Sequence, residues 1–254
     1  MFGWFRASPQ PTPSTARAPD GRVVYAIGDI HGRADLLERL LARIVEDAEE
    51  TAGDAARVLV FVGDYVDRGM ESRQVLERLV AGVPDGFEPV FLLGNHEEAF
   101  LGFLDGGVVA FDWFRFGGLE TLYSYGVGVP RPPVDPEDVD AIRARLVAAV
   151  PPEHVAFMRA CKLTHSEGDY LFAHAGIRPG VPLDKQDPDD LLWIRDEFLH
   201  SRDPHGGRVV VHGHTVTDEP EVRFNRIGID TGAYVSGHLT CVVLSGADRR
   251  FIAT

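Results

Sequence analysis

Three short apolar runs, each ending in glycine followed by Asp or Asn, do most to restrict what this chain can become. Residues 23–27 run into Gly28-Asp29, 58–62 into Gly63-Asp64, and 90–93 into Gly94-Asn95. A run of this length that stops at a turn signal reads as a strand buried on both faces. Between the first two lies 34–48, where Leu37, Leu40, Leu41, Ile44, Val45 and Ala48 recur at helical spacing; Val75, Leu76, Leu79 and Val80 repeat the pattern in 72–80. Strand, helix, strand, helix, strand predicts crossover connections and a largely parallel sheet with its ligands at the carboxyl ends of the strands.

Residues 97–165 break this rhythm. They are aromatic and Gly-rich at 111–118, Pro-rich at 130–136 and helical at 137–150, which predicts a mostly helical insertion forming one wall of a cleft. Further strands are expected at 170–173, 209–211, 226–229 and 239–244. Residues 1–20, rich in Pro, Ala, Ser and Thr without periodicity, read as a disordered or loosely docked tail. That leaves 21–254 as one folded domain.

Charge narrows the partners. With 39 Asp and Glu against 25 Lys and Arg, a formal charge of −14, the surface is a poor match for nucleic acid or an anionic membrane. Part of the acidity is accounted for if carboxylates serve as metal ligands. Cys161 and Cys241 lack CxxC spacing and read as buried thiols in a reducing compartment. No run of about 18 apolar residues predicts a membrane span, and the first residues lack a signal-peptide pattern. A cytoplasmic location is expected.

The strand tips carry the chemistry. Gly28-Asp29-Ile30-His31-Gly32 sets a carboxylate and an imidazole two residues apart, on one side of an extended segment. Gly63-Asp64-Tyr65-Val66-Asp67-Arg68-Gly69 supplies two more carboxylates and a guanidinium, and Gly94-Asn95-His96-Glu97 an amide oxygen, an imidazole and an acid. Later tips bring His174-Ala175-Gly176 and His212-Gly213-His214-Thr215. The glycines let the backbone bend sharply and pack against the next ligand loop. Singly, such motifs are turns or helix caps; five in order at strand ends point to a site. Mixed carboxylate, imidazole and amide ligands suit divalent Mn, Fe or Zn. Two such ions about 3.5–4 Å apart would clamp the attacking and leaving oxygens of an in-line displacement.

The first three of these segments resemble the signature boxes of the phosphoprotein phosphatase family, within the calcineurin-like metallophosphoesterases, and the order of motifs is followed from about Val23 to Leu244. The resemblance implies an α/β fold with a central two-sheet β-sandwich flanked by helices, and two divalent transition-metal ions, Mn foremost, with a bridging hydroxide. It implies that Asp29 and His31 bind the first metal, that Asp64 bridges both, and that Asn95, His174 and His214 complete the second. Asp67 and His96 would form the acid pair that protonates the leaving oxygen. Arg68 and Arg195, the latter in a matching Trp193-Ile194-Arg195, would grip the phosphoryl oxygens.

The implied activity is hydrolysis of phosphomonoesters, on a phosphoprotein or a phosphorylated small molecule, by a serine/threonine phosphatase. Related dinucleoside polyphosphate hydrolases often depart from the Asp-Arg-Gly ending, which Asp67-Arg68-Gly69 retains; that enzyme stays the alternative. An inactive scaffold would have lost ligands, and here every expected position is filled. Two histidine motifs act as decoys. His212 is expected to pack at its strand end or to donate a hydrogen bond behind the ligands. His205-Gly206-Gly207 lies in a polar loop before a strand, so His174, at a strand tip, is preferred. Tyr170, Phe172 and Trp193 read as core or cleft wall, and Asp184–Asp190 as a solvated acidic loop or, alternatively, one that repels acidic substrates.

Overall fold

The computed structural model describes residues 15–107, 110–129 and 136–254. The strands are β1 (Arg22–Ile27), β2 (Ala56–Phe61), β3 (Phe87–Phe91), β4 (Thr164–Glu167), β5 (Tyr170–Ala173), β6 (Val209–His212), β7 (Glu221–Val222), β8 (Arg226–Gly228), β9 (Thr240–Ser245) and β10 (Asp248–Ala253). The helices are α1 (Ala34–Thr51), α2 (Ser72–Val80), α3 (Asn95–Leu104), α4 (Ala110–Trp113), α5 (Leu119–Ser124), α6 (Pro136–Ala149), α7 (Pro152–Ala160), α8 (Pro188–Trp193), α9 (Asp196–Leu199) and α10 (Ala233–Ser236).

Alternation along the strands decides the layering. In β1, Val24 and Ala26 enter one apolar cluster while Val23, Tyr25 and Ile27 enter another, and β2 divides likewise into Val58 and Val60 against Leu59 and Phe61. A strand apolar on both faces has to be covered twice. Helices α1 and α2 cover one face through Leu37, Leu40, Ile44, Val75 and Leu76. A second sheet covers the other with Tyr170, Phe172, Val209, Val211 and Ile227. The outer face of that second sheet packs Leu171, Ala173 and Val210 against Leu191, Ile194 and Phe198. Each fully buried Val, Leu or Ile contributes roughly 1.5–3 kcal/mol, so apolar packing sets where the strand tips lie.

Both sheets have five strands, in the orders β10-β9-β1-β2-β3 and β4-β5-β6-β8-β7. The expected parallel pairing is present at their centres: β1 with β2, β2 with β3, β5 with β6, and β6 with β8. The sheets are nonetheless mixed, because β9 pairs antiparallel to β1, and β10, β4 and β7 pair antiparallel to their neighbours. Strands β4, β7 and β10 were not anticipated. All three are sheet edges, where one neighbour and a wet face tolerate the polar sequences Thr-His-Ser-Glu, Glu-Val and Asp-Arg-Arg-Phe-Ile-Ala.

The helical segment from α3 to α7 leaves the tip of β3 and returns beside it, where Leu92 bridges Lys162. At the amino end, the tail expectation needs correcting over residues 16–18. Ala16 and Ala18 are buried in the inter-sheet cluster, Ala18 N–H donates to the Gly246 carbonyl (2.8 Å), and the Ala16 carbonyl accepts from the Tyr170 hydroxyl. Two small apolar side chains fit an opening that composition could not reveal. Residues 1–14 and 130–135 of the expected tail and Pro-rich stretch lie outside the described residues.

Candidate metal centre

Residues from the tips of five parallel strands meet at one end of the sandwich. β1 delivers Asp29 and His31, β2 delivers Asp64, Asp67 and Arg68, β3 leads into Asn95 and His96, β5 into His174, and β6 into His214. All the carboxylates, imidazoles and the amide in this set are buried. Two groups able to hold a cation result, His31 with Asp64 and His96, and Asp64 with His174 and His214, the ligand atoms of each lying within 4.8 Å of one another. Asp64 belongs to both.

The spacing fits divalent cations. Ligands about 2.0–2.2 Å from an ion sit roughly 2.8–3.6 Å from one another in octahedral or tetrahedral geometry. Here His31 Nε2 is 3.4 Å from Asp64 Oδ2, His174 Nε2 is 3.4 Å from Asp64 Oδ1, and Asn95 Oδ1 is 2.8 Å from both His174 Nε2 and His214 Nδ1. The tautomers fit too. Nδ1–H of His31 donates to the Val66 carbonyl and Nδ1–H of His174 to the Val62 carbonyl, each at 2.9 Å, which leaves both Nε2 lone pairs facing inward. His174 then aims a lone pair at an amide oxygen, a contact that a cation relieves.

Buried polar atoms ordinarily have partners. Asp29 Oδ1, His31 Nε2, His214 Nε2 and Asp230 Oδ2 have no hydrogen-bond partner among the described residues. Burial, with Asp230 and Asp64 close by, pushes the Asp29 carboxyl well above the usual range. Burial also opposes ionisation of Asp64, but the positive charge that His174, His96, His31 and His214 carry when protonated outweighs it and holds that carboxyl low. Burial lowers His31, His174 and His214, the last to about 2, so these rings are neutral, lone-pair donors. An anion cluster ringed by neutral imidazoles is suited to cations.

The site is held in strained backbone. His31 (φ 47°), Asp64 (φ 53°), Asp67 (φ 71°), Arg68 (φ 67°) and His214 (φ 62°) all adopt left-handed conformations, which cost a side-chain-bearing residue roughly 1–2 kcal/mol each. Glu97 compensates at the second tip. Its buried carboxylate accepts from the N–H groups of Asp64 (2.8 Å), Tyr65 (2.7 Å), Val66 (3.1 Å) and Gly94 (3.0 Å). Burial and the neighbouring Asp64 push Glu97 up to about 8, against the pull of those donors. Close approach, more than bending, explains two of the glycines. A Cβ on Gly94 would lie 2.2 Å from Asp64 Oδ1, and one on Gly213 would lie 1.9 Å from Asp29 Oδ1, although Gly94 has an ordinary φ of −99°.

Beside the ligands, His96 Nδ1–H donates to Asp67 Oδ2 at 2.7 Å. Burial opposes a charged His96, but Asp64 and Asp67 outweigh it and raise the ring above its ordinary value. The helical insertion fixes Asp67: Trp113 Nε1–H donates to Oδ2 (2.9 Å) and the Thr121 hydroxyl to Oδ1 (2.6 Å).

Arg68 reaches the same end, with its guanidinium 3.1 Å from His96 Nε2 and over the Tyr234 ring, 4.9 Å from its centroid. Arg195 is exposed at the rim and approaches the Thr215 hydroxyl at 3.4 Å. Trp193 is 42 % exposed as cleft wall, its Nε1–H on Glu98, whereas Tyr170 and Phe172 are core. His212 packs at its strand end against Phe198, with Nδ1 on the Gly213 carbonyl. His205 also sits against Phe198, apart from the ligand groups. Within 184–190 the acids are structural as well as solvated: Asp187 caps α8 and Asp190 pairs with Arg178. Sequence reading gave no role to Glu97, Trp113, Thr121, Tyr234 or Asp230. For Glu97 and Asp230 a signal existed, an acid inside or just beyond a strand-tip motif.

Comparison with known proteins agrees with this geometry. The profile of the calcineurin-like phosphoesterase family matches residues 22–241. The chain is 28 % identical over 235 residues to the asymmetrical bis(5'-nucleosyl)-tetraphosphatase PrpE of Anoxybacillus flavithermus, covering 85 % of this chain and 88 % of the relative. It is 29 % identical over 229 residues to serine/threonine-protein phosphatase 2 of Salmonella typhimurium, covering 86 % and 91 %. Among solved structures, the cold-active protein-tyrosine phosphatase of a psychrophilic Shewanella species superposes with a TM-score of 0.53 at 18 % identity, over 98 % of this chain and 87 % of that one. That last likeness concerns the fold.

Proposed function

The chain belongs to the calcineurin-like phosphoesterase family, and on that premise we propose that it is a serine/threonine protein phosphatase whose centre holds two divalent transition-metal ions, Mn foremost. Sharing of Asp64 between two ligand groups carries this reading. Asp29, whose Oδ1 lacks a partner, and His31 would hold one ion, Asn95, His174 and His214 the other, and Asp64 would contribute to both. Ions bound there would supply water activation and a Lewis-acid hold on the phosphoryl oxygens.

The remaining work falls to the chain. Arg68 and Arg195 hold the phosphoryl oxygens in line and offset their charge. His96, oriented by Asp67 and favoured by Asp64 and Asp67 in its protonated form, gives its proton to the departing serine or threonine oxygen. No nucleophilic side chain is needed. The intact Asp67-Arg68-Gly69 and the likeness to the Salmonella protein phosphatase support phosphomonoesters as substrates. The equally extensive likeness to PrpE supports a second reading, hydrolysis of dinucleoside tetraphosphates. We assign the enzyme to the cytoplasm, on its acidic charge and the free thiols of Cys161 and Cys241. No helix among the described residues is long and apolar enough to cross a membrane.

Turnover of a phosphoserine peptide and of diadenosine tetraphosphate, before and after chelation and Mn²⁺ repletion, tests this. Peptide turnover lost to chelator, restored by Mn²⁺ and exceeding that of the nucleotide is the expected result. Preference for the nucleotide would install the second reading, and hydrolysis indifferent to chelator would end both.

A further inference from the structure

On a chain with 39 acidic and 25 basic residues, one cavity reverses the balance. A space of about 710 Å³ lies between the segment after α9 and the β7–β8 hairpin, and its wall carries Arg202, Arg223 and Arg226 against the single carboxylate of Glu221. Thr215, which directly follows the candidate ligand His214 and accepts from Arg195, also lines it. The cavity thus opens beside the metal centre.

Its walls are built in place. Arg226 is buried, pairs with Glu221 Oε2 at 2.6 Å and donates through Nε to the Leu199 carbonyl (3.3 Å). Asn225, also buried, donates to the carbonyls of Ser201 (3.2 Å) and Asp203 (2.9 Å). These bonds fasten the 199–203 segment to the hairpin, so the cavity keeps its shape without a ligand. Glu221 is held by Arg226 and also bonded by Arg223, so one carboxylate answers two guanidinium groups. Arg202 makes no ion pair among the described residues.

We propose that this cavity is a specificity site for an anionic side chain of the peptide substrate, a carboxylate or a second phosphoryl group, close in sequence to the phosphoester being hydrolysed. It rests on the protein-phosphatase reading of the adjoining centre. Guanidinium forks at a solvent-open rim suit carboxylate and phosphate alike. A nucleobase is served less well, since among the described residues Phe224 is the one benzenoid ring in the wall.

The test compares kcat/KM for phosphoserine peptides flanked by Asp with the same peptides carrying Asn, in the wild type and in an Arg202→Ala/Arg223→Ala double variant. Arg226 is left in place, so Glu221 keeps a partner. Wild type should prefer the acidic peptides roughly tenfold, about the size of one exposed charge-assisted hydrogen bond. The double variant should lose that preference through KM, with the Asn peptides and p-nitrophenyl phosphate unchanged. Replacing one Asp by a second phosphoserine separates the carboxylate from the phosphoryl source; a wild-type preference for either, lost in the variant, supports the site.

No wild-type preference, or a preference that survives in the double variant, overturns the proposal. So does a variant that loses diadenosine tetraphosphate turnover while its peptide kinetics stay unchanged, which would give the cavity to nucleotides. Failure of the wild type on every phosphoester, p-nitrophenyl phosphate included, would instead remove the underlying phosphatase reading.

Discussion

Asp64→Asn should lower kcat/KM for p-nitrophenyl phosphate by on the order of 10³-fold or more and reduce the bound metal per chain. Asp64 presents one oxygen to each ligand group, Oδ2 toward His31 and Oδ1 toward His174. An asparagine has one oxygen and no charge, so one group loses its ligand and both lose the anion they share. The surrounding imidazoles are neutral and cannot replace it. Metal-borne charge stabilisation of several kcal/mol corresponds to such a factor in rate. Elemental analysis beside steady-state kinetics reads both effects, and circular dichroism checks the fold. A variant with wild-type metal content and turnover would contradict the shared-ligand arrangement.

His96→Asn should cost about 10²–10⁴-fold in kcat on a phosphoserine peptide and far less on p-nitrophenyl phosphate, whose leaving group departs without a proton. The geometry poses a choice that this variant decides. His96 Nε2 lies 3.9 Å from Asp64 Oδ2, close enough for the ring to be counted with His31 as a ligand, while Nδ1 is bonded to Asp67 at 2.7 Å. As proton donor, its loss spares metal content and produces dependence on the leaving group. As ligand, its loss depletes the metal and slows every substrate equally, which would reject the acid role. Asp67→Asn should move the alkaline limb of the kcat profile to lower pH. The carboxylate raises the imidazole above its ordinary value; once it is neutral, His96 gives up its proton at a lower pH and the acid is lost sooner.

The parts most legible in the sequence were those buried on two sides. Strands β1, β2 and β5 and helices α1 and α2 announce themselves because both faces or one full stripe must leave water, and a repeat of 2 or 3.6 records it. The candidate ligands were legible because each follows a strand, although β3, which leads into Asn95, is a sheet edge with Glu88 and Pro89 exposed. Edge strands β4, β7 and β10 obey a weaker rule, and the docking of Ala16 and Ala18 depends on a gap between sheets that no local pattern encodes.

What the sequence by itself determined is the chemistry on offer, namely carboxylates, imidazoles and an amide at successive strand tips, and the crossovers that turn those tips the same way. Only the tertiary structure decided how they combine. The sharing of Asp64, the bracing of its strained turn by Glu97, the orientation of Asp67 by Trp113 and Thr121, and the arginine-lined cavity beside Thr215 all join residues far apart in the chain. Such contacts arise from the packing of two sheets and an insertion against one another, and contacts of that range leave no periodic mark along the chain.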